Sequence, residues 1–291
     1  MTGQGASAPP WLAFDRDLFQ GKPYLLMGVI NVTPDSFSDG GKFLAPDAAV
    51  SRAVSLAEEG ADILDVGAES SRPGSEPVPV EEEWSRISLV LPAIRKALPG
   101  VALSIDTTKA EVAKRALEAG ADIINDISSG RSDGKMLPLA ASSKAALVLM
   151  HMRGTPKTMQ AAPFYEDAPR EVASELMGMM EEARRAGVEM KRVAVDPGIG
   201  FGKRPQDNVA LISGLSTLTT LGRPVLVGAS RKSVIGAITG APVGERLYGT
   251  IAMHAAAMLN GARIFRVHDV AAHKQALAVA WALAESEQGK G

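Results

Sequence analysis

A polar residue closes one short apolar run after another in this chain: Asn31, Asp65, Asp106, Asn125, His151, Asp196, Ser230, and then Arg266 with His268. One such end is explained by a loop that begins early. A buried strand gains nothing from ending in a charge unless that charge is used or solvated, and a series of them calls for a common site. Their chemistry divides by charge. Arg72, Arg266, His268 and the hydroxyls of Ser70 and Ser71 suit a multiply charged anion, because a planar guanidinium donates two parallel hydrogen bonds to phosphate oxygens. Asp269 is placed to cap a following helix, whose free N–H groups and positive dipole end would join the same anion site. Asp106, Asn125 and Asp196 offer carboxylates and an amide to a flat ring rich in N–H groups, and Lys232 adds a donor for a ring carbonyl or nitrogen. The set reads as half anion site, half heterocycle site.

The elements that must position these residues follow from the hydrophobic pattern. Apolar runs of strand length, YLLMGVI, DILDVG, ALSID, DIIND, ALVLMHM, RVAVD, PVLVG and RIFRV, alternate with helix-patterned segments. Val50, Ala53, Val54 and Ala57 share one helical face, and Val112, Ala113, Ala116 and Leu117 share another. Continuous apolar runs suit parallel strands covered by helices. GADILDVG from Gly60, GADIINDI from Gly120 and GARIFRVH from Gly261 repeat one plan. A glycine ends a helix in the left-handed conformation, and the strand after it reaches a polar residue: Asp65, Asn125 or Arg266. Eight strand–helix units over about 250 residues is the size of a single-domain (β/α)8 TIM barrel, whose strand C-termini build one active-site mouth. An open doubly wound sheet has the same local signals but favours a glycine-rich turn after its first strand. The turn here, NVTPDSFSDGG, is rich in polar residues and is no phosphate-binding glycine fingerprint.

Sharper motifs fail. In GIGFGKR, Pro197 stands where a Walker A motif needs its first glycine and Arg204 where it needs Ser or Thr. GASRK lacks the closing glycine of a nucleophile elbow. No H-E-x-x-H is present and the 4 histidines are scattered, so protein-ligated zinc is not expected.

Composition narrows the classes further. The 291 residues carry a net charge of −2, which favours neither a nucleic-acid nor a membrane partner. Hydrophobic residues make up 46% and aromatic ones 4%, so the core must be built mainly from Ala, Val, Ile and Leu. With no cysteine, disulfides, thiolate metal sites and a cysteine nucleophile are excluded. MTGQGASAPPW lacks the basic and apolar regions of a secretory signal, and no run is long enough to span a bilayer. The expectation is a cytoplasmic protein with a disordered or loosely ordered tail over residues 1–22, a barrel domain over 23–286 and a C-terminal tail over 287–291.

The stretches NVTPDSFSDGG, DVGAESSRPG, SIDTTKAEV, INDIS, LMHMRGTP, DPGIGFGK, GASRKSVIG and RVHDV, in that order between about Tyr24 and Glu285, resemble those of the dihydropteroate synthase family, the pterin-binding TIM-barrel enzymes of folate biosynthesis. The resemblance implies that hydroxymethyl-dihydropterin diphosphate and p-aminobenzoate give dihydropteroate and diphosphate. It implies roles residue by residue. Asp106, Asn125, Met150, Asp196 and Lys232 would meet the pterin. Asn31, Ser71, Arg72, Arg266 and His268 would hold the diphosphate, with Asn31 also a ligand to magnesium. Phe37, Arg72, Pro73, Phe201, Ser230 and Lys232 would surround the amine. Asp106, Asp196, Lys232, Arg266 and His268 would carry catalysis, with two loops closing over the site. Magnesium is the implied cofactor, sulfonamides are implied inhibitors, and the implied assembly is a homodimer packed through Glu245–Leu259 and Ala271–Ala284. Where the family usually has Ser-Thr-Arg-Pro, this chain has Ser70-Ser71-Arg72-Pro73, which keeps the hydroxyl. A methyltetrahydrofolate-dependent methyltransferase would share the Asp106, Asn125 and Asp196 grip without needing the anion set, and a non-catalytic pterin-binding duplicate would be expected to have lost mouth charges.

The remaining candidates carry structural expectations. His151, His254 and His273 are read as structural. Asp65 and Asp126 are read either as organisers of neighbouring loops or as ligand contacts. Lys203 and Arg204 are read as solvated, and Arg52, Arg86, Arg115, Arg184 and Arg185 as helix surface charges.

Overall fold

Strand and helix alternate because continuous apolar runs alternate with segments of helical period along the chain. The computed structural model describes residues 8–32, 41–70 and 74–288. Its strands are Leu12–Ala13 (β1), Arg16–Asp17 (β2), Leu25–Asn31 (β3), Ile63–Gly67 (β4), Ala102–Asp106 (β5), Ile123–Asp126 (β6), Ala146–Met150 (β7), Val193–Asp196 (β8), Leu226–Val227 (β9) and Ile264–Val267 (β10). The helices are Gly41–Glu59 (α1), Val80–Ile87 (α2), Val90–Ala97 (α3), Ala110–Glu118 (α4), Met136–Ser143 (α5), Ala168–Arg185 (α6), Pro205–Ser213 (α7), Ser216–Thr219 (α8), Ser233–Thr239 (α9), Leu247–Leu259 (α10) and Val270–Gln288 (α11). Each of the predicted apolar runs holds one of the parallel strands β3 to β10, with β3 extending one residue beyond its run, to Asn31. They form an 8-stranded sheet in the order β8-β7-β6-β5-β4-β3-β10-β9. A bridge from Val195 to Val225, just before β9, brings its two edges together. That is the expected (β/α)8 barrel, in one domain.

Strand alternation decides what faces the barrel axis. Leu25, Met27, Ile63, Ala102, Ile123, Ala146, Val148, Ala194, Leu226 and Ile264 form one buried cluster inside the strands. Residues one step out of phase, such as Leu26, Leu64, Leu103, Ile124, Leu147, Val195 and Phe265, pack instead in the layer shared with the helices. Continuing the inward set by twos leads to Asn31, Asp65, Asp106, Asn125, Met150, Asp196 and Arg266 at or near the C-terminal strand ends. The polar ends are therefore in register with the barrel interior. Gly60, Gly120 and Gly261 close their helices at φ of 109°, 104° and 102°, a conformation that favours residues without a Cβ.

Residues 8–22 correct the expectation of a loosely ordered tail. β1 and β2 pair as an antiparallel hairpin, and Trp11, Leu18 and Phe19 join the interior cluster at the opposite end from the polar residues. Trp11 is fully buried, and its indole N–H donates to the Arg192 carbonyl at 3.0 Å. The Phe14 amide reaches the Lys144 carbonyl at 2.8 Å. The hairpin closes the N-terminal end of a barrel whose interior is otherwise made of small and medium side chains. At the other terminus α11 runs to Gln288, two residues past the predicted domain end at 286. No helix among the described residues is long and apolar enough to cross a membrane.

Candidate active site

Arg266, projecting inward from β10, lies between two carboxylates. Its Nε donates to Asp65 Oδ2 at 2.6 Å and an Nη to Asp106 Oδ2 at 2.8 Å. Asn125 donates through Nδ2 to the same Asp65 oxygen at 3.1 Å. Strand register makes this possible: Asp65 pairs with Val29, Gly67 with Asp106, and Asp106 with Asn125. Asp65 is fully buried, and its Oδ1 has no hydrogen-bond partner among the described residues. Burial pushes the Asp106 carboxyl upward, with Arg266 opposing and Asp65 adding to the rise. Asp126 sits one residue out of phase with Asn125 and does something else. Its Oδ1 accepts from the Ser128 amide and hydroxyl, both at 2.7 Å, and its Oδ2 from the Gly130 amide at 2.7 Å. It organises the loop after β6.

Asp196 ends β8 and is almost fully buried. Its Oδ1 accepts from the Gly198 amide at 2.6 Å. Burial still dominates and pushes the carboxyl up to about 6. Lys232 comes from the turn before α9. Arg231 takes φ of 59° there, with its amide held by Thr250 Oγ1 at 3.0 Å. Burial and the nearby Arg266 pull Lys232 down to about 8, against Asp196 and Asp106. The Lys232 Nζ lies 4.0 Å from the centroid of the Phe201 ring. Phe201 clusters with Ile127, Met150, Met152 and Met159, so Met150, expected at the ring, and Phe201, expected at the amine, share one apolar wall. A cavity of about 770 Å³ opens beside Asp106, lined among others by Glu69, Thr107, Lys109, Ile127 and Met152, a size suited to a small organic ligand.

His268 and Ser230 meet on the β10 side. The His268 amide and Nδ1 both lie on Ser230 Oγ, at 3.2 and 2.9 Å. Ser230, expected beside the amine, is thus tied to the anion set. Burial, with Arg266 and Arg231 nearby, pulls His268 down to about 4. Before an anion binds, the imidazole is therefore neutral at neutral pH. Asp269, read as a helix cap, receives Arg231 through both carboxylate oxygens, at 2.5 and 3.1 Å.

Several contributors were read as mere surface charge. Arg52 donates to the His268 carbonyl at 2.8 Å, and Arg86 to the Ala68 carbonyl at 2.6 Å, fixing the base of the loop after β4. Lys109 pairs with Glu69 on that loop and with fully buried Glu83 at 2.6 Å. Lys203 is not solvated but buried. Arg204 is held by Asp207 at 2.7 Å, while Arg115, Arg184 and Arg185 do make surface pairs. His151, His254 and His273 are fully buried. Phe37, Ser71, Arg72 and Pro73 lie outside the described residues. Among the described residues no group of three His, Cys, Asp or Glu side chains is placed to hold a metal ion. Asn31 offers an amide oxygen at an exposed strand end, which fits magnesium that keeps its waters and arrives on a substrate phosphate.

The chain matches the family described as pterin binding enzyme over residues 27–268. It is 45% identical over 277 residues to a dihydropteroate synthase of Synechocystis, covering 94% of this chain and 96% of that one. Its fold is similar to that of the Xanthomonas albilineans dihydropteroate synthase with 4-aminobenzoic acid, at a TM-score of 0.87 and 43% identity over 95% of this chain and 98% of that one. It is similar as well to the Yersinia pestis dihydropteroate synthase in complex with a sulfonamide drug, at 0.85 and 38% over 93% and 96%.

Proposed function

The chain belongs to the pterin-binding enzyme family and has the dihydropteroate synthase activity of folate synthesis, and from that premise we propose how its residues divide the work. The observation that carries the division is the mouth itself, where Asp106, Asn125 and Asp196 face the axis beside Arg266 and Lys232. The carboxylates and the amide take the amino and N–H edge of the pterin. Lys232 takes a ring carbonyl or nitrogen. His268, the Arg266 guanidinium and Asn31 take the diphosphate, together with Ser71 and Arg72. The amine lies against Phe201 and Lys232.

The reaction is an alkyl transfer. The bond between the pterin methylene carbon and the diphosphate oxygen breaks with its electron pair going to diphosphate. The dihydropterin ring delocalises the positive charge left on the methylene. The carboxylates of Asp106 and Asp196 would stabilise that cation, and Arg266 the departing anion. The amine lone pair then forms the new C–N bond and the extra amine proton leaves to solvent. No protein nucleophile is needed. Magnesium, held by the diphosphate, water and Asn31, would supply further charge neutralisation on the leaving group.

The setting is the cytoplasm and the assembly a homodimer. Exposed Ile238, Tyr248, Leu259, Val279 and Leu283 lie along α9, α10 and α11, with exposed Val243 in the turn between α9 and α10, and apolar residues concentrated in this way support an interface there. Formation of dihydropteroate by the purified protein, inhibited by a sulfonamide in competition with p-aminobenzoate, is the expected result. Folded protein that forms product but ignores sulfonamide would refute the amine subsite.

A further inference from the structure

We propose that Lys203 is a positioning residue that fixes Phe201 and thereby the seat of the aromatic amine. The inference rests on the reading that Phe201 lines the amine subsite.

Lys203 is 3% exposed, and burial pulls its pKa down to about 7 against the pull of Asp196 and Glu175. A methionine would fill the same space without that cost. The charge is used: its three N–H groups meet three acceptors, the Phe201 carbonyl at 2.9 Å, His151 Nδ1 at 3.0 Å and the His151 carbonyl at 3.2 Å. His151 is itself fixed. Burial pulls it down to about 4, so it is neutral, and because Nδ1 accepts from Lys203, Nε2 carries the proton and donates to Glu175 at 2.9 Å. Glu175 is held from its other side by Arg153 at 2.9 Å.

The loop being fixed has no strand ladder. It lies directly on the loop after β7: a Cβ at Gly198 would stand 2.0 Å from the His151 carbonyl and one at Gly202 2.8 Å from that of Arg153. Its successive carbonyls are caught by Gln160 at Gly200 (3.0 Å), Lys203 at Phe201 (2.9 Å) and the Tyr165 hydroxyl at Gly202 (3.1 Å). Phe201 therefore stands between two lysines, one on its carbonyl and one over its ring. Asp196 is anchored differently. It pairs with Met150 in the β7–β8 ladder, and its carbonyl accepts from the His151 amide at 2.9 Å. Loss of Lys203 frees the Phe201 carbonyl, while the Asp196 backbone keeps its ladder and its Oδ1 keeps the Gly198 amide at 2.6 Å.

The test is steady-state kinetics on Lys203→Met, Lys203→Arg and Phe201→Ala, each checked for folding by thermal melting. Lys203→Met should raise the KM for p-aminobenzoate about tenfold and that for pterin diphosphate less than about twofold, as expected for one lost charge-assisted hydrogen bond acting on one subsite. Lys203→Arg should recover part of the loss. If Lys203→Met does not fold, Glu175→Gln, at the solvent end of the same network, should shift the amine KM in the same direction. Folded Lys203→Met with an unchanged amine KM, while Phe201→Ala raises it, would overturn the inference alone. Equal rises in both KM values would also overturn it, leaving Lys203 merely structural. An unchanged amine KM in Phe201→Ala would overturn the subsite reading and the inference with it.

Discussion

Asp106 Oδ2 lies 2.8 Å from the Arg266 guanidinium, which also holds Asp65 at 2.6 Å. The residue assigned to the leaving diphosphate and the residue assigned to the ring are thus one ion-paired unit. Before substrate arrives, each satisfies the other's charge in a largely buried setting. A pterin cation approaching Asp106 and a diphosphate approaching Arg266 would draw on both members together.

Replacing Arg266 by alanine therefore touches more than the anion. Asp65 and Asp106 would be left buried without their cation, a change that costs about 3–5 kcal/mol when a buried pair is broken from one side. Calorimetry should show diphosphate binding lost and the affinity for a simple pterin also reduced. Unaltered pterin affinity in folded Arg266→Ala would show that the two ends act separately.

Asp196 carries a cost of ionisation that asparagine would not. Its folded pKa, about 6, stands above the unfolded carboxylate value. The folded state therefore binds more protons in that window, and its stability falls as pH rises through it. Asp196→Asn should match the wild type below about pH 4 and exceed it by about 2–3 kcal/mol above about pH 6. Urea unfolding at pH 4 and pH 8 reads the difference; a constant offset would contradict it. The same substitution should abolish turnover, since the amide cannot stabilise the ring cation as a carboxylate does.

Lys232 sets the alkaline side. Its pKa is pulled down to about 8, so the ammonium over Phe201 is lost as pH rises past that value. The pH profile of kcat/KM for p-aminobenzoate should fall above about pH 8, and Lys232→Arg should move that limb upward or remove it. A limb unmoved in an active Lys232→Arg enzyme would assign it to another group.

Trp11 stabilises without serving the site. Trp11→Ala should cost about 3–5 kcal/mol by leaving a cavity at the closed end of the barrel. KM for both substrates should stay near wild type under conditions where the variant is folded. A selective rise in either KM, measured alongside chemical denaturation, would mean that the plug communicates with the mouth.

Asn31, Asp65, Asp106, Asn125, Asp196 and Arg266 were legible in the sequence because each closes an apolar run with a polar residue. The chemistry sits where a strand pattern ends in the wrong residue type. What joins them was not legible. Arg266 meets Asp106 across 160 residues of chain and Asp65 across 201, and no local rule specifies such pairs. Trp11 was assigned to a tail because its anchor, the Arg192 carbonyl, lies 181 residues away. Lys203 looked solvated because a lysine beside an arginine in a glycine-rich loop usually is. Its three acceptors exist only once the loops after β7 and β8 lie on one another. Ser230 was assigned to the amine, yet its hydroxyl lies on His268, where the fold brings the turn after β9 beside the end of β10.

The most direct test of the account is diphosphate release by the folded enzyme in magnesium buffer, measured with and without p-aminobenzoate and compared with dihydropteroate formed. The account predicts that, with the amine present, release from the pterin diphosphate matches dihydropteroate one for one and that no pterin remains covalently attached to the protein. Absence of release with both substrates present, or a pterin adduct on the quenched protein, would contradict it.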